Sequence, residues 1–480
     1  MHHYSADVVV VGAGLSGLQT ARLVQEAGLS CIVLEAIDRV GGKTLSVRSA
    51  ESNSGYNDLG AAWINDTTQT NMYALLNELK LTAVAQRVEG KDTCRQYVGL
   101  LLSDSLRVTD AFPTSQGKEE DAALLAQVFA TVDQLVDEDL ESPRAAAKAR
   151  NLDSVTITEF GAEISGSNAH VKTQLDTLSR ALWGASADDV SALFFINYCK
   201  ADTGLSKLLS SSKDGAQYLR IREGTASFAK GIARKLTPGS VMLSTPVKSI
   251  HQHMNGDCEV KSTTGSTFHC RKVVVSISTC LYPMIEFNPP LPPAKKTLSE
   301  NTTMCYYSKF ILVFSSPWWR DAGLSGAFVS DAIGPVTFAF ETCMEQDNQW
   351  SITCFVVGKP GLEWSRLPLA VRRQKVLEQF KYAFGKATKT TVPDPINTLE
   401  MEWAKNPYFQ GAPCPVMPPG VLTTVGKAMK EPFDNVHFVG TETSDVWRGY
   451  MEGAVRSGIR GAKEVIEALQ SRRSLPLAKL

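Results

Sequence analysis

Most of the chain alternates apolar and polar positions, but four short runs do not. Residues 7–11 (DVVVV), 30–34 (SCIVL), 273–277 (VVVSI) and 436–439 (VHFV) are almost wholly apolar, the mark of strands buried on both faces of a parallel sheet. The first leads through a glycine turn into a helix ending near residue 27, and the second follows directly. Residues 70–79, 119–139 and 171–183 space their apolar side chains for helices. The stretch after residue 85 therefore reads as an inserted, largely helical segment. Met72, Phe129, Phe194 and Phe195 are candidates for a pocket wall, although most such residues are simply core.

Near Arg220 the pattern returns to strands. A turn and helix over 222–236 precede a meander at 241–250, 258–262 and 268–277, with hairpin turns at Asn255-Gly256 and Thr264-Gly265. The stiff run NPPLPP leads to a second system: strands at 306–314, 326–329, 336–341 and 350–357, then a helix at 370–384. Last come strand 436–439, a turn at Gly440 and a helix from about Tyr450 towards Leu469. The predicted class is α/β combined with α+β, in two domains built from discontinuous segments. Residues 1–85, 215–285 and 400–470 form one domain, 86–214 and 286–399 the other, and 471–480 a tail.

Chemistry enters at GAGLSG, which places Gly12, Gly14 and Gly17 between the first strand and its helix. Such glycines let a pyrophosphate approach the helix start, and Glu35 at the end of the next strand is placed to bind a ribose. That context makes the first domain Rossmann-like. DRVGGKT follows, where Gly41 and Gly42 let a second segment approach the same ligand and Arg39 and Lys43 offer charge to phosphate. This run resembles the signature of FAD-dependent oxidases and desaturases. The small-residue stretch Asp58 to Trp63, with Ala61 and Ala62, suits packing against a flat ring. Gly224 is a further point of close approach.

The 480 residues carry 43% apolar content and a net charge of -1. Such a chain is long enough for roughly two to four domains, and its charge excludes a nucleic-acid surface or a polybasic membrane patch. No apolar run approaches the roughly 20 residues of a membrane span, and residues 6–11 open on a strand rather than a signal peptide. Ten cysteines without a CxxC pair read as buried thiols in a reducing compartment. His251 and His253 share one strand face, but no carboxylate or thiolate nearby in sequence completes a metal set. They read as surface histidines, with no metal expected. Ala478, Lys479 and Leu480 match a peroxisomal address, against a cytoplasmic location.

Three separated stretches, DVVVVGAGLSGL with LEAIDRVGGKT, DLGAAW, and HFVGTETSDVWRGYMEGAVRSG, together resemble the flavin-dependent amine oxidases, most of all their monoamine oxidase branch. The resemblance spans nearly the whole chain. It implies the two-domain flavin amine oxidase fold, FAD as cofactor, and an amine and O2 as substrates, with carbonyl, ammonia and hydrogen peroxide as products. It assigns Val247, Trp403, Gly440, Thr441, Glu442 and Met451 to the cofactor. Lys309 becomes the lysine facing the flavin, and Tyr450 one wall of an aromatic cage for the amine. A homodimer is left open as the assembly. Polyamine oxidase, a phytoene-type desaturase and a non-catalytic flavin-bearing interaction protein are the alternatives.

Two departures matter. Animal monoamine oxidases tether flavin through a cysteine six residues before a PPG triplet. Here the triplet is Pro418, Pro419 and Gly420, and Ala412 holds the tether position, so the resemblance implies non-covalent FAD. The second cage aromatic is replaced by Pro413, and Arg448 stands where a small residue is usual. Pro413 and Arg448 therefore point to a bulky or acid-bearing amine. The family includes fungal oxidases of long aminated polyketides such as fumonisins, and that substrate is one expectation.

Overall fold

The computed structural model describes residues 2–92, 118–140, 142–202, 204–330, 334–388 and 391–473. The C-terminal tripeptide lies outside them. At the centre is strand Val8–Val11, whose four valines are all buried. Cys31–Leu34 pairs parallel on one side and Lys272–Val275 on the other, with Val241–Met242 and Val436–Phe438 at the two edges. The strand period of two divides the valines. Val8 and Val10 pack with helices Leu15–Glu26, Ala226–Lys235 and Met451–Arg473. Val9 and Val11 pack against a second five-stranded sheet that contains Cys258–Ser262 and Thr267–Cys270. Each such valine gains about 1.5–3 kcal/mol from burial, so the parallel sheet is covered on both faces, as its unbroken apolar runs require.

Two predicted strands divide between these sheets. Residues 241–250 split at Pro246, which has no N–H for a ladder: Val241–Met242 extends the parallel sheet and Val247–Gln252 enters the meander. Residues 268–277 split at Arg271. Its N–H and that of Lys272 both donate to Asp7 O, passing the chain from one sheet to the other.

The second system is an antiparallel sheet in the order Phe328–Val329, Phe338–Glu341, Trp350–Val357, Tyr307–Phe314, Asn397–Glu402. Phe310, Leu312 and Phe314 point into a core with helix Leu369–Thr388. Tyr307 and Lys309, on the alternate positions, point the other way. The inserted segment forms helices Lys118–Val136, Ala146–Asp153, Ile157–Ser165, Ala169–Trp183 and Ala192–Ala201 around one apolar core. Phe194 and Phe195 are buried inside that core, Phe129 packs on its flank, and Met72 lies in the core beneath the parallel sheet. None of the four lines either of the two cavities described below, and all four pack as core or on its flank, the commoner fate of such residues. Among the described residues, no helix is long and apolar enough to cross a membrane.

Candidate active site

A channel of about 310 Å³ runs along the C-terminal ends of the parallel strands. Gly12, Gly14, Glu35, Gly42 and Val247 line one end, and Gly440, Thr441, Glu442, Tyr450 and Met451 the other. Gly17 shows why the first turn demands glycine: a Cβ there would stand 2.1 Å from Gly12 O. A Cβ on Gly14, by contrast, would meet nothing within 4 Å and would project into open space. The groove is thus a cradle kept clear at a helix start, the form a dinucleotide needs. Glu35 accepts from Ala13 N at 2.6 Å and Ile37 N at 3.1 Å, and burial raises its pKa against these bonds. These residues fit FAD.

The two expected phosphate cations are placed differently. Arg39 donates to Val40 O, Thr44 O and Gly42 O at 3.3, 3.2 and 2.8 Å. Its guanidinium braces the glycine turn and does not line the channel. Lys43 Nζ donates to Pro413 O at 3.1 Å and Ser278 Oγ at 3.3 Å. Burial lowers the Lys43 pKa, and Glu442 opposes that shift. Gly224 also lies off the channel, because its backbone is packed against the Ser46 side chain.

Lys43, Ala61, Pro413, Gly449, Tyr450 and Met451 border both this channel and a second cavity of about 230 Å³. Ala62, Trp63, Trp403 and Lys309 line the second chamber, with an aromatic wall contributed by the antiparallel sheet. Strand register builds that wall: Phe355 stands opposite both Lys309 and Phe338. Phe338 and Phe355 stack at 4.2 Å, and Trp63 stacks on Phe355 at 6.3 Å. Trp403 Nε1 donates to Leu59 O at 3.1 Å, fixing the strip that precedes Ala61.

Lys309 is only 5% exposed. Its Nζ donates to Gly60 O at 2.5 Å and Asp58 O at 3.1 Å, and lies 5.2 Å from the ring centroids of Trp63 and Phe355. Burial lowers its pKa from 10.5 to about 8; the Asp58 carboxylate pulls it up and Arg220 pushes it further down. Asp58 is itself held by Ser46 Oγ at 2.5 Å and by the Thr225 N–H and hydroxyl at 2.9 and 3.0 Å. The lysine is therefore a fixed cation over one indole and one phenyl face.

Tyr450 stands at the start of helix Met451–Arg473, with its ring 5.0 Å from Trp447 and 6.3 Å from Tyr198. Gly449 before it takes φ +87°, and a Cβ there would lie 2.5 Å from Tyr198 Oη. Arg448 is absent from the chamber wall. Its Nε donates to Ser444 O at 3.2 Å, and its charge acts on Asp202. Asp202 is fully buried with neither carboxylate oxygen hydrogen-bonded, and burial raises its pKa well above the usual range. Arg448 lines neither cavity and neither Asp202 oxygen accepts from it, so nothing in this geometry joins it to the predicted substrate-binding set. Tyr198, Tyr307, Phe338, Phe340 and Phe355 line the chamber without having been anticipated. Only the alternation of Tyr307 with Lys309, and of Phe338 with Phe340, hinted at shared faces.

The profile of the family described as flavin containing amine oxidoreductase matches residues 15–466. Flavin-containing amine oxidase B of Homo sapiens is 29% identical over 469 residues, covering 96% of this chain and 86% of that protein. The flavin-containing amine oxidase of Oncorhynchus mykiss is 28% identical, covering 96% and 85%. Among solved structures, cyclohexylamine oxidase from Brevibacterium oxydans superposes with TM-score 0.84 at 29% identity, covering 97% of this chain and 99% of that one. A putrescine oxidase variant superposes with TM-score 0.84 at 22% identity over 97% of this chain and 100% of its own, a likeness of fold alone.

Proposed function

This chain belongs to the family of flavin-containing amine oxidoreductases, and from that premise we propose that it deaminates apolar primary amines whose carbon skeleton fills the aromatic chamber. It is a FAD-dependent, monoamine oxidase-like enzyme acting on amines. Bound FAD would supply the redox chemistry of an overall reaction in which amine, O2 and water give carbonyl, ammonia and hydrogen peroxide. The channel residues Gly12, Gly14, Glu35, Gly42, Val247, Thr441 and Glu442 would hold the cofactor, with Gly17 keeping the turn tight behind Gly12. The same reading divides the chain into a FAD-binding domain (1–85, 215–285, 400–470) and a substrate domain (86–214, 286–399).

Tyr450, Pro413 and the wall formed by Trp63 and Phe355 orient the amine and exclude water around it. Lys309 holds a proton at Nζ with a pKa of about 8, so it keeps positive potential beside the shared wall at neutral pH. Ala412 has no thiol to offer a flavin, in keeping with non-covalent attachment.

The observation that carries this reading is the shared wall itself, where an apolar, aromatic chamber opens onto the dinucleotide channel beside a buried lysine. No Asp or Glu lines the chamber among the described residues, so a diamine finds no carboxylate there for its distal ammonium. Long-chain amines fit the chamber by their apolar skeleton, to which fumonisins add acid arms. An acid arm, however, meets only Lys43 and Lys309, both already hydrogen-bonded. Anaerobic addition of alkyl, cycloalkyl, aryl, diamine and amino-polyketide substrates, followed by the flavin absorbance, tests the proposal. Bleaching by the apolar monoamines is expected. Bleaching by diamines alone would replace the reading with a polyamine oxidase, and no bleaching at all with a non-catalytic flavin protein.

A further inference from the structure

On the outer face of the meander sheet, remote from both cavities, the fold assembles a donor set that the linear sequence hides. His251 lies in strand Val247–Gln252, and His253 follows that strand on the same face. The hairpin brings Glu259 directly opposite His251. One donor atom from each of the three residues lies within 4.8 Å of the others. The two imidazoles stack at 4.3 Å between centroids. The surrounding row is polar as well: Asn288 stands opposite His251 on one side, and His269 opposite Glu259 on the other.

We propose that His251, His253 and Glu259 form a site for one divalent transition-metal ion of the zinc class. Two imidazoles and one carboxylate make a borderline nitrogen–oxygen set, which suits zinc and its neighbours and disfavours magnesium or calcium. Ligand atoms about 2.1 Å from a tetrahedral ion stand roughly 3.4 Å apart. Closing from 4.8 Å therefore takes only small side-chain rotations, which His253, exposed to solvent, and the half-buried His251 and Glu259 are free to make. Water completes the fourth position. The Asn288 amide, 3.4 Å from His251 Nε2, is the outer partner that fixes the orientation of a ligating imidazole.

One group competes with the ion. Lys261 Nζ lies 2.8 Å from Glu259 Oε1, so binding replaces an exposed ion pair, itself worth about 0–1 kcal/mol, with a metal–carboxylate bond. The site ties together strands Val247–Gln252 and Cys258–Ser262; Val247 at the far end of the first and Thr263 just after the second line the cofactor channel. It is a binding site of the cofactor domain's surface and takes no part in the amine reaction.

The experiment is calorimetric titration of Zn2+ into FAD-loaded protein previously dialysed against a chelator, with Mg2+ and Ca2+ as controls. One Zn2+ per chain is expected, with no heat from either hard cation. Loss of one outer partner already costs a metal site about 10–100-fold, so His253→Ala and Glu259→Gln should each weaken Zn2+ by more than about tenfold. Lys261→Met should tighten it. All three side chains are at the surface, so the variants retain the fold and the flavin spectrum. Zn2+ binding that survives unchanged in a His251→Ala, His253→Ala double variant would place the ion elsewhere and overturn the proposal. Failure to bind Zn2+ more strongly than Mg2+ would do the same.

Discussion

Replacing Lys309 with Met separates the chemical role of this lysine from its effect on stability. Burial pulls its pKa from 10.5 down to about 8, so the unfolded chain binds the proton more tightly than the folded one. Stability is therefore depressed below pH 8 and recovers as pH rises towards the unfolded value. A shift of that size corresponds to about 3 kcal/mol at neutral pH, falling to about 1 kcal/mol near pH 10. The methionine variant escapes this penalty but leaves Asp58 O and Gly60 O without their donor, a loss of about 1 kcal/mol each. The two effects nearly cancel at about pH 7, and the variant should lie within about 1 kcal/mol of wild type there. Near pH 10 it should be about 2 kcal/mol less stable relative to that neutral comparison.

Chemical denaturation of the FAD-loaded proteins across this range measures the difference directly, and other titrating groups cancel between the two. In the same samples kcat at neutral pH should fall by about 10²–10³-fold, the scale for losing one preorganised donor in a closed site. A stability difference that stays flat from pH 7 to 10 would refute the buried-ammonium argument. Unchanged kcat would remove Lys309 from the reaction.

Three further outcomes follow from the same geometry. Acid precipitation should release all of the flavin into the supernatant, because Ala412 carries no thiol and burial pushes the Cys414 pKa up; yellow pellets would contradict this. Gly449→Ala should lose about 1–2 kcal/mol from its left-handed backbone, and its Cβ should displace Tyr198 and raise KM for aryl amines, read by thermal melts and initial rates. Arg448→Met removes the hydrogen bond from Nε to Ser444 O and should cost about 1 kcal/mol. It should shift KM equally for acid-bearing and simple amines, whereas a selective loss with acid-bearing amines would return Arg448 to the substrate.

What could be read from the sequence was local, and what escaped was assembled across distance. GAGLSG, Glu35 and the terminal strand–turn–helix announce themselves because neighbouring residues carry the whole signal. Phe338, Phe355 and Tyr307 come from three strands, and only register makes them one wall. Glu259 was invisible as a companion of His251 for the same reason. Arg448 misled because adjacency to Tyr450 says nothing about which side of the turn a side chain takes, and here its Nε turns back to Ser444 O. The run at 241–250 contains Pro246, and a proline without a ladder donor is the local warning that the strand breaks there.

A perturbed lysine does not by itself mark an active site, and this chain contains the control. Lys295 also has its pKa lowered to about 8, by burial first, with Glu431 opposing and Arg460 reinforcing that shift. Its Nζ donates to Ala428 O and lies 3.8 Å from the Phe438 ring centroid, a closer cation–π contact than either made by Lys309. Electrostatically the two lysines are near twins. They differ in place: Lys309 lines the chamber and Lys295 lines neither cavity. Lys295→Met should therefore reproduce the pH-dependent stability change of about 2–3 kcal/mol while kcat and KM for every oxidised amine stay at wild-type values. If Lys295→Met impaired turnover as Lys309→Met does, the loss would follow from removing any buried cation, and the shared wall would lose its claim to be where the chemistry happens.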